Sequence, residues 1–168
     1  MGYCVTMELD VHIPVENRKK CLAAINELHS EKNLSSHAHG GSFMGGKEND
    51  DRPVRERVWY SWVSNPGEDG FKSLEEAFDA WRYSTETDHK DDSLLVTYFQ
   101  GEKWGDDGIL WTAVAPFVAD KCSAVMTGED GEIWRYLFEK GIMREQYGKV
   151  IFKDVERSIA GGKRCPAS

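Results

Sequence analysis

The sequence predicts an α+β fold, a two-layer sandwich in which about three helices cover mainly one face of a mixed, mostly antiparallel sheet. Segments in which apolar and polar residues alternate with period two open the chain and recur near its end. Segments with apolar residues at helical spacing lie between them. The resulting order is β-α-β-α-β-α-β-β-β, which is compatible with a ferredoxin-like core.

The length and composition indicate one globular domain. A chain of 168 residues has the usual size of a single domain and can bury a self-sufficient core. The hydrophobic fraction of 40% and the charged fraction of 30% are typical of a water-soluble globule. We therefore predict a single α+β domain over residues 1–155, with a mobile loop at 33–53 and a frayed tail at 156–168.

The first predicted unit is a strand followed by a helix. From residue 3 to residue 13 the odd positions are apolar, which predicts a strand with one buried face and one solvated face. Pro14 ends this strand. Residues 15 to 32 then place Cys21, Leu22, Ile25 and Leu28 at helical spacing, which predicts a helix.

The middle of the chain begins with residues 33 to 53, which are rich in Gly, Ser, His and Asp and show no apolar period. A loop of this length is usually functional or disordered. Residues 55 to 64 alternate like a second strand. Residues 73 to 83 are predicted to form a helix, because Ser73 and Glu76 have the spacing of a capping box.

The last third of the chain predicts one helix and a series of strands. Strands are expected at residues 93–100, 122–127, 132–139, 142–146 and near 149–154. A helix at 108–119, capped by Asp106 or Asp107, should bend or end near Pro116. In the segment 132–139, Trp134, Tyr136 and Phe138 share one face and are predicted to be core.

Two similar glycine-flanked acidic segments, PGEDG at 66–70 and GEDG at 128–131, are interpreted as tight turns. Glycine provides the positive φ that such turns require. Four residues cannot supply the six to eight oxygen ligands that calcium prefers.

Charge and cysteine usage restrict the class of partner. The formal net charge of -8 disfavours nucleic acid as a direct ligand. The four cysteines lie far apart without metal-ligand spacing, which predicts reduced thiols in a cytoplasmic protein. No segment resembles a signal peptide or a membrane span, so no membrane association is expected.

One row of residues is a candidate for catalysis or metal binding. Glu8, Asp10 and His12 are spaced at i, i+2 and i+4, so they share one face of the first strand. Two carboxylates and an imidazole can bind a metal or divide acid and base roles. Side chains two positions apart are about 7 Å apart along a strand, so a solvated sheet face is the favoured interpretation. His37 and His39 are weak metal candidates, since a glycine-rich loop provides no scaffold for further ligands.

The candidate binding residues are aromatic and basic. Arg55 and Arg57 precede an aromatic segment, Trp59 and Trp104 lie off the clearest core stripes, and Arg135 lies between two apolar residues. None of the sequence motifs GxGxxG, GxxxxGKS, HExxH and GxSxG is present, so no cofactor is predicted.

Three segments, GEDGEIWRYLFEKGIMREQYGKV, LEEAFDAW and YCVTMELDVHIP, resemble a group of small uncharacterised proteins from bacterial genomes and their phages or plasmids. The resemblance spans most of the chain, apart from the loop at 33–53, and transfers no site residue. It implies an intracellular accessory protein of a mobile element that binds a host protein.

Three functional hypotheses follow from these observations. The first is a non-catalytic acidic binding protein that acts on a protein partner, as a phage- or plasmid-encoded inhibitor or modulator of a host defence or regulatory system. The alternative is a small enzyme, or a small-ligand or metal binder, that uses the row of Glu8, Asp10 and His12 on the open sheet face. A homodimer that buries the open sheet face or an edge strand is the third.

Overall fold

The computed structural model of the chain describes residues 3–36 and 60–152. Its fold is α+β, with a six-stranded antiparallel sheet and helices packed on it, which confirms the predicted class. The strands are β1 (Val5–Ile13), β2 (Tyr83–Thr87), β3 (Leu94–Phe99), β4 (Ser123–Gly128), β5 (Ile133–Glu139) and β6 (Ile142–Tyr147). The helices in the described ranges are α1 (Arg18–Leu28), α2 (Glu31–Ser36), α3 (Leu74–Ala80) and α4 (Asp107–Val114), with short 3-10 turns at Val15–Asn17 and Ala115–Phe117.

The sheet has the order β2-β3-β1-β4-β5-β6, and every neighbouring pair is antiparallel. Strands β1 and β2 therefore run parallel to each other with β3 between them, and β3 and β4 run parallel with β1 between them. This is the split β-α-β arrangement of a ferredoxin-like core. Strands β5 and β6 extend the core as a meander beyond β4.

The alternation predicted for β1 and β5 separates the two faces of the sheet. Val5, Val11 and Ile13 of β1 are buried beneath the helices, as are all three aromatic side chains predicted for the β5 core. The opposite face of the sheet, called the open face below, carries half-buried and exposed side chains. On β1, β4, β5 and β6 these are Thr6, Glu8, Asp10, His12, Ser123, Val125, Thr127, Ile133, Arg135, Leu137, Glu139, Ile142, Arg144 and Gln146.

Local sequence signals account for the helix boundaries and the turns. Ser73 caps α3 by accepting a hydrogen bond from the Glu76 backbone N–H at 3.1 Å, as the capping box predicts. Helix α4 ends at Val114, and Pro116 lies in the 3-10 turn that follows, as predicted. Both acidic glycine segments are turns.

The layer of helices buries a histidine in an aromatic box. The rings of Tyr60 and Phe71 both lie 5.2 Å from the His29 ring, and Trp81 donates its indole N–H to His29 Nε2 at 3.2 Å. This bond places the proton of the neutral imidazole on Nδ1. Burial lowers the pKa of His29 to about 4, and a hydrogen bond with Asn65 partly opposes this shift.

The predicted second strand is wrong where the structure describes it. Residues 55 to 59 lie outside the described residues, while 60 to 62 form a turn and 63 and 64 lie in no strand. The sequence pattern does not predict β2, which follows α3: its first residue, Tyr83, falls at the end of the predicted helix, and residues 84–87 fall in no predicted element. This strand contains Ser84, Thr85, Glu86 and Thr87, so as an edge strand it shows little apolar alternation.

Two boundaries also differ from prediction. The first helix ends at Leu28, and α2 occupies the start of the predicted loop at 33–53, whose remaining residues lie outside the described ranges. The predicted strand near 149–154 does not form over residues 149–152, because the pairing of β5 with β6 ends at Tyr147. Its last two residues and the tail at 156–168 lie outside the described ranges.

Cys4, Cys21 and Cys122 are free thiols, and Cys165 lies outside the described residues. None of the helices in the described ranges has the length and apolar character needed to cross a membrane.

Candidate binding site

Trp62 is an exposed aromatic side chain on a firmly anchored turn. Its neighbours Tyr60, Ser61 and Val63 are buried, whereas Trp62 is 50% exposed. Its backbone has a φ of 61°, a left-handed conformation that is rare and costly for a bulky residue. Such a conformation persists only when the surroundings fix it, so the contacts around this turn decide where the indole points.

Three contacts fix the turn. The Tyr60 hydroxyl donates to a backbone carbonyl at the end of α1 at 2.9 Å, and the Ser61 N–H donates to Asp106 Oδ2 at 2.7 Å. Gly105 packs directly beneath. A Cβ atom at Gly105 would lie 2.9 Å from the Ser61 Cβ and 3.2 Å from the Trp62 ring. The absence of a side chain there allows the close approach that holds Trp62 in place.

The guanidinium of Arg82 is held between two aromatic rings. Its Cζ lies 5.5 Å from the centre of the Trp62 ring and 5.1 Å from the centre of the Phe99 ring. Both distances are within the range of cation–π attraction. Arg82 also has a positive φ of 70°, and its Nη1 donates to the Lys103 carbonyl at 2.9 Å. The exposed indole therefore packs against a side chain that is itself fixed.

A buried carboxylate fixes Arg82 in turn. Asp107 is fully buried and accepts hydrogen bonds from Arg82 Nη2 at 3.1 and 2.9 Å, from the Gly105 N–H at 2.9 Å and from the Tyr83 hydroxyl at 2.9 Å. Trp111 donates its indole N–H to the same hydroxyl at 3.0 Å. Burial raises the pKa of Asp107, while these donors favour its ionised form. Asp107 thus links Arg82 to the core.

A β-bulge opens the sheet close to this network. In the pairing of β3 with β2, Thr97 is an extra residue, and β3 pairs with β1 only over Val11–Ile13. A mostly apolar cavity of about 520 Å³, called the sheet cleft below, lies where β1 and β3 separate. It is lined by Cys4, Val5, Thr6, Met7, Tyr98, Phe99, Gly101, Glu102, Thr127, Gly128 and Glu129.

A second hollow of about 280 Å³, the Trp62 hollow, is lined by Trp62, Arg82 and residues 101–103. Gly101 and Glu102 line both cavities, so the cavities share a wall. Tyr98, which is 63% exposed, provides a second accessible aromatic ring beside this wall. Together the two cavities form a continuous surface with two aromatic rings and an acidic margin at Glu102 and Glu129.

The thiol in the sheet cleft is a poor nucleophile. Burial raises the pKa of Cys4, and the carboxylate of Glu129 adds to this shift. Because the thiolate is the reactive form, the local environment works against nucleophilic catalysis. The cleft is better suited to binding than to covalent chemistry.

The predicted catalytic row lies on the open face, away from the Arg82 network. His12 Nε2 and Asp10 Oδ1 are 3.0 Å apart, while Glu8 is one step further along β1. Within residues 3–36 and 60–152, no three His, Cys, Asp or Glu side chains are grouped to hold a metal. The row thus provides one exposed His–Asp contact.

The other predicted binding residues have different surroundings. Arg135 is exposed on the open face, and its Nε donates to Gln146 Oε1 at 2.6 Å. Trp104 is half-buried, with its ring 5.7 Å from that of Trp134 and 6.0 Å from that of Tyr136, so it covers the edge of the core. Five further candidates lie outside the described residues: His37, His39, Arg55, Arg57 and Trp59.

Sequence reasoning missed Trp62, Arg82 and the role of Asp107. Trp62 lies in a segment that alternates like a strand, and Asp107 was considered only as a helix cap. The cap position belongs to Asp106. Comparison with protein-family models, with curated proteins and with solved structures finds no match. The geometry of Trp62, Arg82 and the sheet cleft therefore carries the functional proposal.

Proposed function

We propose that this chain is a non-catalytic acidic binding protein that acts on a protein partner, which it contacts through Trp62 and the sheet cleft. The observation that carries the proposal is the fixed exposure of Trp62, whose neighbours in the chain are buried and whose backbone is held in a strained conformation. Strain of this kind is concentrated at functional sites.

The chemistry of the site favours a protein ligand. Tryptophan and arginine are among the residue types most enriched at the hot spots of protein interfaces, and Tyr98 adds a further aromatic ring. Because Asp107 and two aromatic rings already restrain Arg82, little side-chain entropy would be lost on binding. The apolar sheet cleft next to it has room for a side chain of the partner.

The charge of the chain indicates the chemistry of that partner. The net charge of -8 and the acidic margin of the cleft favour a basic surface, and electrostatic steering would speed the encounter. A phage- or plasmid-encoded inhibitor that covers a basic channel on a host defence or regulatory protein has these properties. The resemblance noted for the sequence supports the same interpretation.

The proposal is tested by affinity capture from a bacterial lysate with the immobilised chain, followed by titration of the purified captured protein. Trp62→Ala removes the exposed indole. Tyr147→Ala, which removes an exposed aromatic ring from the far edge of the sheet, is the matched control. We expect Trp62→Ala to weaken binding by about 30-fold or more, which is the effect of losing a typical hot-spot residue. Tyr147→Ala should leave the affinity unchanged.

An inhibitor further requires that the activity of the captured protein falls in proportion to the fraction bound. Failure to retain any protein even at low salt would contradict the proposal. Equal affinity of wild type and Trp62→Ala for the captured protein would contradict the assigned site.

A further inference from the structure

We propose that two copies of this chain associate face to face through the open face, about a two-fold axis that runs parallel to the strands between β4 and β5. The occupant of the open face is thus a second copy of the chain. Trp62 does not lie on this surface, although Thr6 and Thr127 of the open face also line the sheet cleft, and the inference does not depend on the proposed function.

The strand register places opposite charges at the two ends of one row. Asp10 pairs with Ser123, Ser123 pairs with Leu137, and Leu137 pairs with Arg144. Across three strand spacings, Asp10 and Arg144 of one chain are about 14 Å apart, so they are too distant to bond to each other. Their side chains are 75% and 59% exposed, and within one chain Asp10 lies 3.0 Å from His12 while Arg144 lies 3.8 Å from Glu139, so a contact between copies adds a second partner to each charge.

A two-fold axis between β4 and β5 brings these charges together between copies. Rotation about this axis places β1 of one copy over β6 of the other and preserves each row. Asp10 of each copy then faces Arg144 of its mate, which gives two equivalent ion pairs. This is the self-complementary arrangement that an isologous dimer requires.

The neighbouring row is complementary in the same way. Glu8 pairs with Val125, which pairs with Arg135, which pairs with Gln146. The same rotation places Glu8 over Gln146. Because Arg135 Nε donates to Gln146 Oε1 at 2.6 Å, its guanidinium is directed toward the position that Glu8 of the other copy occupies. Both acidic residues of β1 thus meet an arginine.

Repulsion between like charges excludes the alternative two-fold axis, which lies parallel to the sheet but perpendicular to its strands. A two-fold axis perpendicular to the strands would place β1 over β1 and bring Glu8 and Asp10 of one copy against the same acids of the other. Like charges placed opposite each other across an interface are costly. The axis along the strands avoids this, and packed sheets commonly keep their strands within about 30° of each other.

Apolar side chains lie close to the proposed axis. Val125, Ile133 and Leu137 on β4 and β5 are half-buried, and Ile142 at the margin is 57% exposed. Two sheets packed face to face are about 10 Å apart, a distance that side chains of this size fill. The centre of the open face thus carries three apolar side chains beside Arg135, and further charged residues lie at both ends.

The test is sedimentation velocity of the full chain at physiological salt with charge reversals. We expect wild type to sediment with twice the 19.1 kDa mass of one chain. Asp10→Arg and Arg144→Asp should each weaken association at least 10-fold, and the double reversal should restore it. A monomeric wild type at about 100 µM would overturn the proposal, since a dissociation constant beyond this range is weaker than a specific dimer requires. A double reversal that remains as dissociated as either single variant would also overturn it.

A conservative variant provides an independent test. In Arg144→Lys, a zero-length carbodiimide should join position 10 of one copy to position 144 of the other, because these positions are too distant within one chain. Cross-linked peptides containing both positions, found in the dimer and lost when Asp10→Asn is added, support the proposal. Their absence from a dimer shows that another surface is used and overturns it. Trp62→Ala should sediment like wild type, so that failure of partner binding and failure of dimerisation are distinguishable.

Discussion

The helix layer and the open face each contain an aspartate next to a basic side chain, in opposite surroundings. Asp107 is fully buried and accepts bonds from Arg82, Tyr83 and a backbone N–H. The side chain of Asp10 is 75% exposed, and its Oδ1 lies 3.0 Å from His12 Nε2. The comparison shows that solvent exposure determines the structural role of a carboxylate. The same residue type is part of the core on one side of the sheet and a surface charge on the other.

The largest difference should come from neutralising the two aspartates. Asp107→Asn leaves the Arg82 guanidinium without its counter-charge, so we expect the free energy of unfolding to fall by about 3 to 5 kcal/mol. Asp10→Asn should lower it by less than about 1 kcal/mol, because exposed pairs contribute little. Urea unfolding followed by tryptophan fluorescence, at a concentration where all variants are monomeric, measures both. Similar losses for the two variants would contradict the comparison.

A smaller effect is expected from the buried histidine as the pH falls. Burial holds the pKa of His29 at about 4, whereas the unfolded chain has the ordinary value of 6.5. Between these values the unfolded state binds a proton that the folded state does not, so stability falls as the pH is lowered through this window. The loss amounts to about 3 kcal/mol by linkage at 1.36 kcal/mol for each unit of pKa shift.

The contribution of His29 is isolated with variants. His29→Gln should remove this part of the pH dependence, while His89→Gln, at an exposed position, should retain it. The free energy of unfolding is measured at intervals from pH 7 to pH 4. Identical pH profiles for wild type and His29→Gln would refute the assigned cause.

The smallest predicted effect compares two glycines. A Cβ atom at Gly101 would lie 2.5 Å from the Phe99 ring and 2.8 Å from Arg82 Nη1, whereas nothing lies within 4 Å of one at Gly67. Gly101→Ala should therefore lower the unfolding free energy by about 1 to 3 kcal/mol through overpacking. Gly67→Ala should change it by less than about 0.5 kcal/mol. Thermal unfolding monitored by circular dichroism compares the two variants. Equal stability would show that Phe99 and Arg82 move aside to accommodate the added methyl group, and would contradict the prediction.

The sequence allowed prediction of the features that depend on local pattern. Alternation in β1 and β5 predicted which side chains face the helices, because a strand has only two faces. Ser73 with Glu76 predicted the start of α3, and Pro116 predicted the end of α4, since both act on backbone hydrogen bonds of their own helix.

The candidate site could not be predicted in the same way, because its geometry depends on residues distant in the chain. The backbone of Trp62 follows from bonds and packing near Asp106 and Gly105, and no local pattern distinguishes this turn from a strand. The contact of Arg82 with Asp107 likewise joins the end of α3 to the start of α4. A polar edge strand such as β2 leaves no apolar period to detect.

The central position of β1 has a consequence for the time order of folding. This strand leaves the ribosome before both of its neighbours, β3 and β4, and its residues Asp10 and Val5 pair with Ser123 and Gly128. Non-local pairings of this kind slow folding, since a long loop must close before the contacts form. The nascent chain therefore carries β1 without its neighbours until β3 and β4 have been synthesised, and an unpaired strand edge is prone to aggregation during that interval.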